Sequence, residues 1–151
     1  MYVPSSGILD PMQYTIALAE NACSNGVKFR FGSKVENILR EGDTYRILTS
    51  SGEFRTKWVI NCAGMYASQI SEQLGYPNYP VRGFKGEYYV LDKKAGKNMP
   101  IPIYPAPNEK GGFATHATPT VDGNVLVGPD SYLTDEPEDY KTTKEHMDGL
   151  Y

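Results

Sequence analysis

Histidine, cysteine and tryptophan are scarce in this chain, dense positive charge is missing, and no apolar run is long. Each shortage closes off a class of protein. No stretch approaches the ~20 apolar residues that cross a bilayer, so no integral membrane segment is expected. Met1-Tyr2-Val3-Pro4 lacks the basic start and apolar core of a secretory leader. Lys and Arg number 15 against 18 Asp and Glu, for a net charge of −3. They form no dense run, so neither a nucleic-acid partner nor a membrane-surface helix is expected. The two cysteines, Cys23 and Cys62, fall in a predicted helix and a predicted buried strand. They read as reduced core thiols of a cytoplasmic protein, and a pair alone makes no metal site.

What the 151 residues do contain is ordinary for a folded soluble protein. Hydrophobic residues make up 40% and charged residues 22%, and the length is enough for a domain with a real core. The most informative stretch is Trp58-Val59-Ile60-Asn61-Cys62-Ala63-Gly64-Met65-Tyr66-Ala67. Its continuous apolar start predicts a strand buried on both faces, as in a parallel sheet. Cys62, Ala63 and Gly64 carry almost no side chain, so a ligand can approach the backbone there. Residues 66–74 place Ala67, Ile70 and Leu74 on one helix face. The start of that helix offers unpaired N–H groups to an anion or a sugar edge. An ordinary strand–turn–helix corner, small for packing alone, accounts for the same residues.

Around that corner the chain reads as follows. Asp10 predicts a helix cap, with Pro11 in the first helical position and Gln13 completing a capping box. Met12, Ile16, Ala19 and Cys23 recur at helical spacing, and Asn25-Gly26 ends the helix. Val27, Phe29 and Phe31 alternate with Lys28 and Arg30, as in a strand. Residues 34–40, 45–49 and 54–56, parted by turns at Glu41-Gly42-Asp43 and Ser51-Gly52, predict a β-meander. Residues 75–80 are rich in Tyr and Pro and read as a linker. Beyond it a strand is expected in the second half of 81–91, and a polar loop tip over 93–98. Residues 101–107 alternate proline with apolar side chains, which suits an extended sheet edge. Gly111-Gly112 breaks the chain. Residues 113–118 and 125–127 read as a hairpin around Asp122-Gly123. Residues 136–151 are polar and read as the first turns of a helix, with His146 solvated.

In that order, the helix, strand, meander and strand ending in Val59-Ile60-Asn61-Cys62-Ala63-Gly64 resemble the later part of an FAD-binding domain in the D-amino acid oxidase-like group of flavoenzymes. Phe84-Lys85-Gly86-Glu87-Tyr88-Tyr89, then His116-Ala117-Thr118, then Asp122-Gly123-Asn124-Val125-Leu126-Val127-Gly128-Pro129, is more specific. It is similar to the L-2-hydroxyglutarate oxidases and FAD-dependent glycerol-3-phosphate dehydrogenases of that group. The likeness covers nearly the whole chain. It implies a mixed α/β (α+β) fold: a partial Rossmann-like FAD-binding domain with a β-meander over residues 1–78, and the start of an antiparallel-sheet substrate domain over 79–151. The group's opening Gly-x-Gly-x-x-Gly turn, which holds the FAD pyrophosphate, has no counterpart here, and neither has its closing flavin-contacting segment. The chain therefore reads as an internal fragment of a larger flavoenzyme. By itself it is expected to bind no FAD and to be inactive, with open sheet edges that favour self-association. Pro119 stands where hydroxyglutarate oxidases tend to carry arginine, which leaves glycerol 3-phosphate or another small hydroxy compound open.

The chemistry implied by the resemblance is oxidation of the CH–OH group of a small anionic substrate. Hydride passes to the flavin and the hydroxyl proton to a protein base. His116 is the candidate base or substrate hydrogen-bond partner. Arg82 and Lys85 are candidates to hold a carboxylate or phosphate. Tyr88 and Tyr89 point to opposite faces of their strand, so one of them faces the cavity. For FAD, the resemblance assigns the Val35 backbone to the adenine, and Cys62, Ala63 and Gly64 to the phosphates and ribose. Plainer readings stand beside these: a strand histidine with a structural partner, and solvated cations at a strand edge. The alternative function is a noncatalytic binding or interaction domain on a related α/β scaffold.

Overall fold

The first helix starts where its cap places it. The Asp10 carboxylate accepts from the amides of Met12 and Gln13 at 2.8 and 3.0 Å. Pro11 follows in the first turn, where a missing N–H costs nothing. Gly26, at φ 90°, turns the chain out of the helix. The computed structural model describes residues 3–106 and 114–151. Its elements are α1 (Pro11–Ser24), β1 (Val35–Glu41), β2 (Thr44–Thr49), β3 (Gly52–Thr56), a 3₁₀ turn (Gly64–Tyr66) that runs into α2 (Ala67–Gln73), β4 (Gly83–Leu91), α3 (Lys93–Gly96), β5 (His116–Pro119), β6 (Val125–Thr134) and α4 (Lys144–Asp148). The chain divides into two compact units. One contains residues 27–83 and 135–137; the other contains α1, residues 84–134 and residues 138–151.

The first of these units is built on the meander. β1, β2 and β3 pair antiparallel in chain order. Gly42, at φ 62°, opens the two-residue Gly42-Asp43 hairpin, a turn whose first residue needs a positive φ. Ile38 stands opposite Ile47, and Ile47 opposite Phe54, so three apolar side chains line one face in register. Ile38 is the centre of this small core, at 3% exposure. Glu41 ties β1 to its neighbours through Arg46 at 2.7 Å and Arg55 at 3.3 Å. α2 packs on β1, and Gln73 donates to the Glu36 carbonyl at 3.3 Å.

The second unit carries a three-stranded sheet in the order β4-β6-β5. β5 and β6 form an antiparallel hairpin, closed by the Gly123 amide on the Thr120 carbonyl at 3.0 Å. Asn124 reaches from that turn to the Leu91 carbonyl at 3.0 Å and anchors the end of β4. The proline-punctuated segment before position 107 is extended, and Ile103 bridges Ala117 on the open side of β5. Val125, 2% exposed, is buried here along with Pro119 and Pro129. Residues 93–96 form the short helix α3, not a loop tip, because the Asp92 carboxylate caps the Lys94 amide at 2.9 Å. The predicted break at Gly111-Gly112, the end of the edge segment at Pro107 and the strand start at Phe113 lie outside the described residues.

Three expectations are corrected. Residues 27–30 and 58–62 form no ladder, and Phe31 stands in a turn with Gly32. A parallel strand needs neighbours on its edges and cover on both faces, and among the described residues neither segment has a ladder partner. Trp58 and Ile60, expected inside, are 84% and 86% exposed. Cys23 and Cys62 are free, as expected, but both are exposed and belong to no core. The scale of open surface is large: the chain exposes 12212 Å². Two finished globules of half the mass each would together expose roughly 9,200 Å² by the usual scaling. Among the described residues, no helix is long and apolar enough to cross a membrane.

Candidate functional site

Strand alternation sorts the candidate residues onto two faces of the β4–β6 pair. Successive side chains point to opposite sides of a sheet. Phe84, Gly86 and Tyr88 from β4, and Pro129 and Ser131 from β6, lie on one side. With His116 from β5 and Tyr104 from the extended segment, they line a hollow of about 380 Å³. Lys85, Glu87 and Tyr89 fall on the other side, with Asp130 and Tyr132. Gly86 has to be small here, because a Cβ would stand 2.7 Å from Pro129 Cβ.

His116 is held in a defined way. Its Nδ1 lies 3.0 Å from the Ala114 carbonyl oxygen. A carbonyl only accepts, so Nδ1 carries a proton, and in the neutral ring Nε2 is then the acceptor. The Tyr104 ring leans over the imidazole, with centroids 4.7 Å apart, and Tyr88 meets it edge-on at 6.1 Å. Burial, then the neighbouring Tyr104, raises the Tyr88 hydroxyl above its ordinary value. It therefore stays protonated and can donate at neutral pH. The hollow brings together an imidazole acceptor, the hydroxyls of Tyr88, Tyr104 and Ser131, and aromatic walls. Among the described residues lining it there is no Lys or Arg.

Lys85 does not join that hollow. On the opposite face its ammonium donates to Asp139 at 2.7 Å and stands 3.8 Å from Glu87. The Asp139 hydrogen bond raises the Lys85 ammonium above its ordinary value, and the same bond lowers Asp139. Glu87 is 2% exposed. It accepts from the Thr143 amide at 2.8 Å, the Thr143 hydroxyl at 3.3 Å and the Tyr132 hydroxyl at 2.9 Å. The Thr143 N–H is the main reason its carboxyl lies below the ordinary range. Tyr89 donates to the Met147 carbonyl at 3.2 Å. This face thus clamps residues 139–147 onto the sheet. His146, expected to be solvated, stacks on Tyr132 with centroids 3.8 Å apart and places Nδ1 2.5 Å from Asp130. Sequence reading missed Glu87 and its partner Tyr132 because they lie 45 residues apart, and Thr143 lies 56 residues from Glu87.

The small-residue corner belongs to the other unit. Val35, Cys62 and Ala63 do come together, around a hollow of about 410 Å³ also lined by Ile38, Ile47, Trp58 and Ile70. Gly64, at φ 55°, begins the 3₁₀ turn next to it. Asn61 is the residue the sequence did not single out. Its amide donates to the Ala67 carbonyl at 2.8 Å, and its Oδ1 accepts from the Ala63 N–H at 3.3 Å. At the start of the helix expected to offer N–H groups to an anion, the Tyr66 and Ala67 N–H groups are already engaged by the Ala63 and Gly64 carbonyls. Arg82 is exposed and lies just before β4.

Comparison with known proteins bears on the family and the fold. A model of the FAD dependent oxidoreductase family, DAO, matches residues 1–151. The chain is 37% identical over 150 residues to a glycerol 3-phosphate dehydrogenase of Caloramator mitchellensis, an alignment that covers 99% of this chain and 31% of that protein. It is 32% identical over 152 residues to the mitochondrial L-2-hydroxyglutarate dehydrogenase of Bos taurus, covering 91% and 33%. It therefore spans about a third of the length of the curated relatives it matches. Among solved structures, L-proline dehydrogenase from P. horikoshii superposes with a TM-score of 0.70 at 20% identity, over 93% of this chain and 37% of that one. That likeness speaks for the fold.

Proposed function

The chain belongs to the FAD dependent oxidoreductase family, and from that premise we propose that it is a segment of a dehydrogenase or oxidase acting on the CH–OH group of a small anionic hydroxy compound, of the glycerol 3-phosphate or L-2-hydroxyglutarate type. The observation that carries the reading is His116. Its Nδ1 proton is committed to a backbone carbonyl, so Nε2 is left as an acceptor on the wall of a hollow with three hydroxyl groups. This is the protonation state a base for a substrate hydroxyl requires.

FAD supplies the hydride-accepting chemistry when bound. The residues of the corner fit one wall of its site. Val35, Cys62 and Ala63 surround an open apolar hollow, and a Cβ at Gly64 would meet nothing within 4 Å, so a flat ring or a sugar can lie close to the backbone. The wall offers no cation and no free cluster of N–H groups among its described residues, so the pyrophosphate needs a turn from elsewhere in the parent protein. The same reading gives residues near 1–78 to the flavin portion and residues near 79–151 to the substrate portion.

In the substrate hollow, His116 takes the hydroxyl proton through Nε2. Tyr88 and Ser131 hold the neighbouring oxygens by donating to them. Among the described residues lining the hollow there is no cation, so the anionic end needs one supplied from beyond them. Lys85 is not assigned to the substrate, since two carboxylates on the far face engage it.

The test uses the full-length protein and dye reduction with glycerol 3-phosphate and L-2-hydroxyglutarate. His116→Gln lowers kcat by about 10²–10⁴-fold, the range for losing a positioned base. Lys85→Met loosens residues 139–147 and leaves KM for the anionic substrate unchanged. No turnover of either compound by the wild type, or an unchanged kcat in His116→Gln, would falsify the proposal.

A further inference from the structure

Tyr104 lies on no strand, and neither the sequence motifs nor the family resemblance points to it. Its position is nevertheless well determined. Ile103 and Ala117 exchange both backbone hydrogen bonds, Ile103 N to Ala117 O at 2.8 Å and Ala117 N to Ile103 O at 3.1 Å. That pair docks the proline-punctuated segment antiparallel along the open edge of β5. The next residue outward from each member is Tyr104 on one side and His116 on the other. They therefore face each other as a cross-strand pair, on the side of the sheet away from Ile103 and Ala117. Pro102 and Pro105 flank the segment and limit its backbone freedom. The consequence is the tilted ring contact at 4.7 Å, with an interplanar angle of 39°.

The imidazole has few other constraints. Among the described residues its one polar contact is Nδ1 to the carbonyl of Ala114, two residues before it and just ahead of β5. Tyr88 touches it edge-on from the floor of the hollow, at a longer 6.1 Å. A single hydrogen bond at one end of a ring leaves the flip about Cβ–Cγ cheap, and a flip would put Cδ2 where Nδ1 stands and Cε1 where Nε2 stands, which breaks the Ala114 bond, takes the acceptor out of the hollow and frees the proton to settle on either nitrogen. The face of a second ring, pressed on the imidazole from the solvent side, opposes both that flip and a rotation out into solvent. Tyr104 is itself 62% exposed, so its outward face is wet while its inward face covers His116.

We propose that Tyr104 is a positioning residue: its ring, carried on the Ile103–Ala117 clasp, holds His116 with Nδ1 on Ala114 and Nε2 as the acceptor in the hollow. The inference rests on the reading of His116 as the base only for its consequence in turnover; the geometry it asserts is testable without any activity. The ring carries the effect, and the Tyr104 hydroxyl does not.

The experiment is long-range ¹H–¹⁵N correlation NMR on this chain, with His146→Gln in the background so that one imidazole reports. Wild type shows a single neutral tautomer with the proton on Nδ1. Tyr104→Phe keeps that pattern. Tyr104→Leu, which retains bulk without a ring face, gives averaged nitrogen shifts from both tautomers. Hydrogen exchange at the Ala117 amide is read in parallel, and protection that persists in Tyr104→Leu shows that the clasp survives. Should the clasp open in that variant, Tyr104→Met, unbranched and easily accommodated, takes its place. A pure Nδ1–H pattern in the variant without the ring, or a mixed pattern in wild type, overturns the proposal. In the full-length enzyme, Tyr104→Leu lowers kcat about 10–100-fold with KM little changed, as loss of orientation does, and Tyr104→Phe restores it. If the NMR result holds while turnover is unaffected, positioning stands and the role of His116 as base falls.

Discussion

Replacing Gly128 with alanine should loosen the sheet that carries the candidate base. Gly128 stands opposite His116 in the β5–β6 ladder and has φ 152°. A Cβ there would lie 2.7 Å from both the Glu87 carbonyl oxygen and Tyr88 Cδ1, and 3.0 Å from Tyr88 Cγ. Non-bonded carbons settle at about 3.5–4.0 Å, so β4 and β6 must part by about 1 Å or the Tyr88 ring must leave the hollow. Overpacking of this kind costs about 1–3 kcal/mol. A side chain in that backbone region costs a further ~1–3 kcal/mol. Alanine restricts the unfolded chain, which offsets only about 0.4–1 kcal/mol. The net loss is then about 1–5 kcal/mol, with a middle near ~3, a large part of the stability of a small domain. With that middle loss of about 3 kcal/mol and a urea slope of about 2 kcal/mol per molar, the midpoint falls by roughly 1.5 M. Gly26→Ala is the control. Its φ is 90° but a Cβ would meet nothing within 4 Å, so it carries the backbone cost without the clash. Urea unfolding followed by far-UV circular dichroism reads both variants. If Gly128→Ala unfolds at the wild-type midpoint, or no earlier than Gly26→Ala, the account of the β4–β6 contact is wrong.

Two further outcomes are expected. The Glu87 carboxyl is held below its ordinary value of 4.5, chiefly by the Thr143 N–H, and Asp139 below 3.8, chiefly by Lys85. A lowered carboxyl stabilises the fold at pH above its unfolded value and loses that contribution as pH falls through the folded one. Exchange protection of the Thr143 amide should therefore be flat from neutral pH down to the ordinary carboxyl range and decline below it. Glu87→Gln should lack protection at neutral pH, and a flat profile through acid in wild type would show that the clamp does not hold that amide. Cys23 and Cys62 are both exposed, so an aromatic disulfide reagent should titrate both thiols in the folded chain without denaturant. Thiols that react only after unfolding would contradict their placement.

Much of the local structure could be read from neighbouring residues, because its causes are local. The Asp10-Pro11 cap, the exit at Gly26, the meander with its Gly42-Asp43 turn and the hairpin at Asp122-Gly123 each follow from dihedral preferences and hydrogen bonds a few residues apart. The same holds for the alternation of Tyr88 and Tyr89, and for the small side chains of Cys62-Ala63-Gly64. Apolar character did not decide burial at Trp58 and Ile60, since a strand is buried only if other elements cover it. Alternation likewise states that β4 has two faces but not which one borders a hollow. That was decided when β6 brought Pro129 and Ser131 to one side and Asp130 and Tyr132 to the other. Lys85 and Glu87 became a buried clamp because Asp139 and Thr143, more than 50 residues on, return to them. His146 found Asp130 and Tyr132 in the same way. Tyr104 reached His116 through a two-bond clasp that no local pattern encodes. Charge and hydrogen-bonding capacity are written residue by residue, whereas the partners that spend them are chosen by the path of the chain in space.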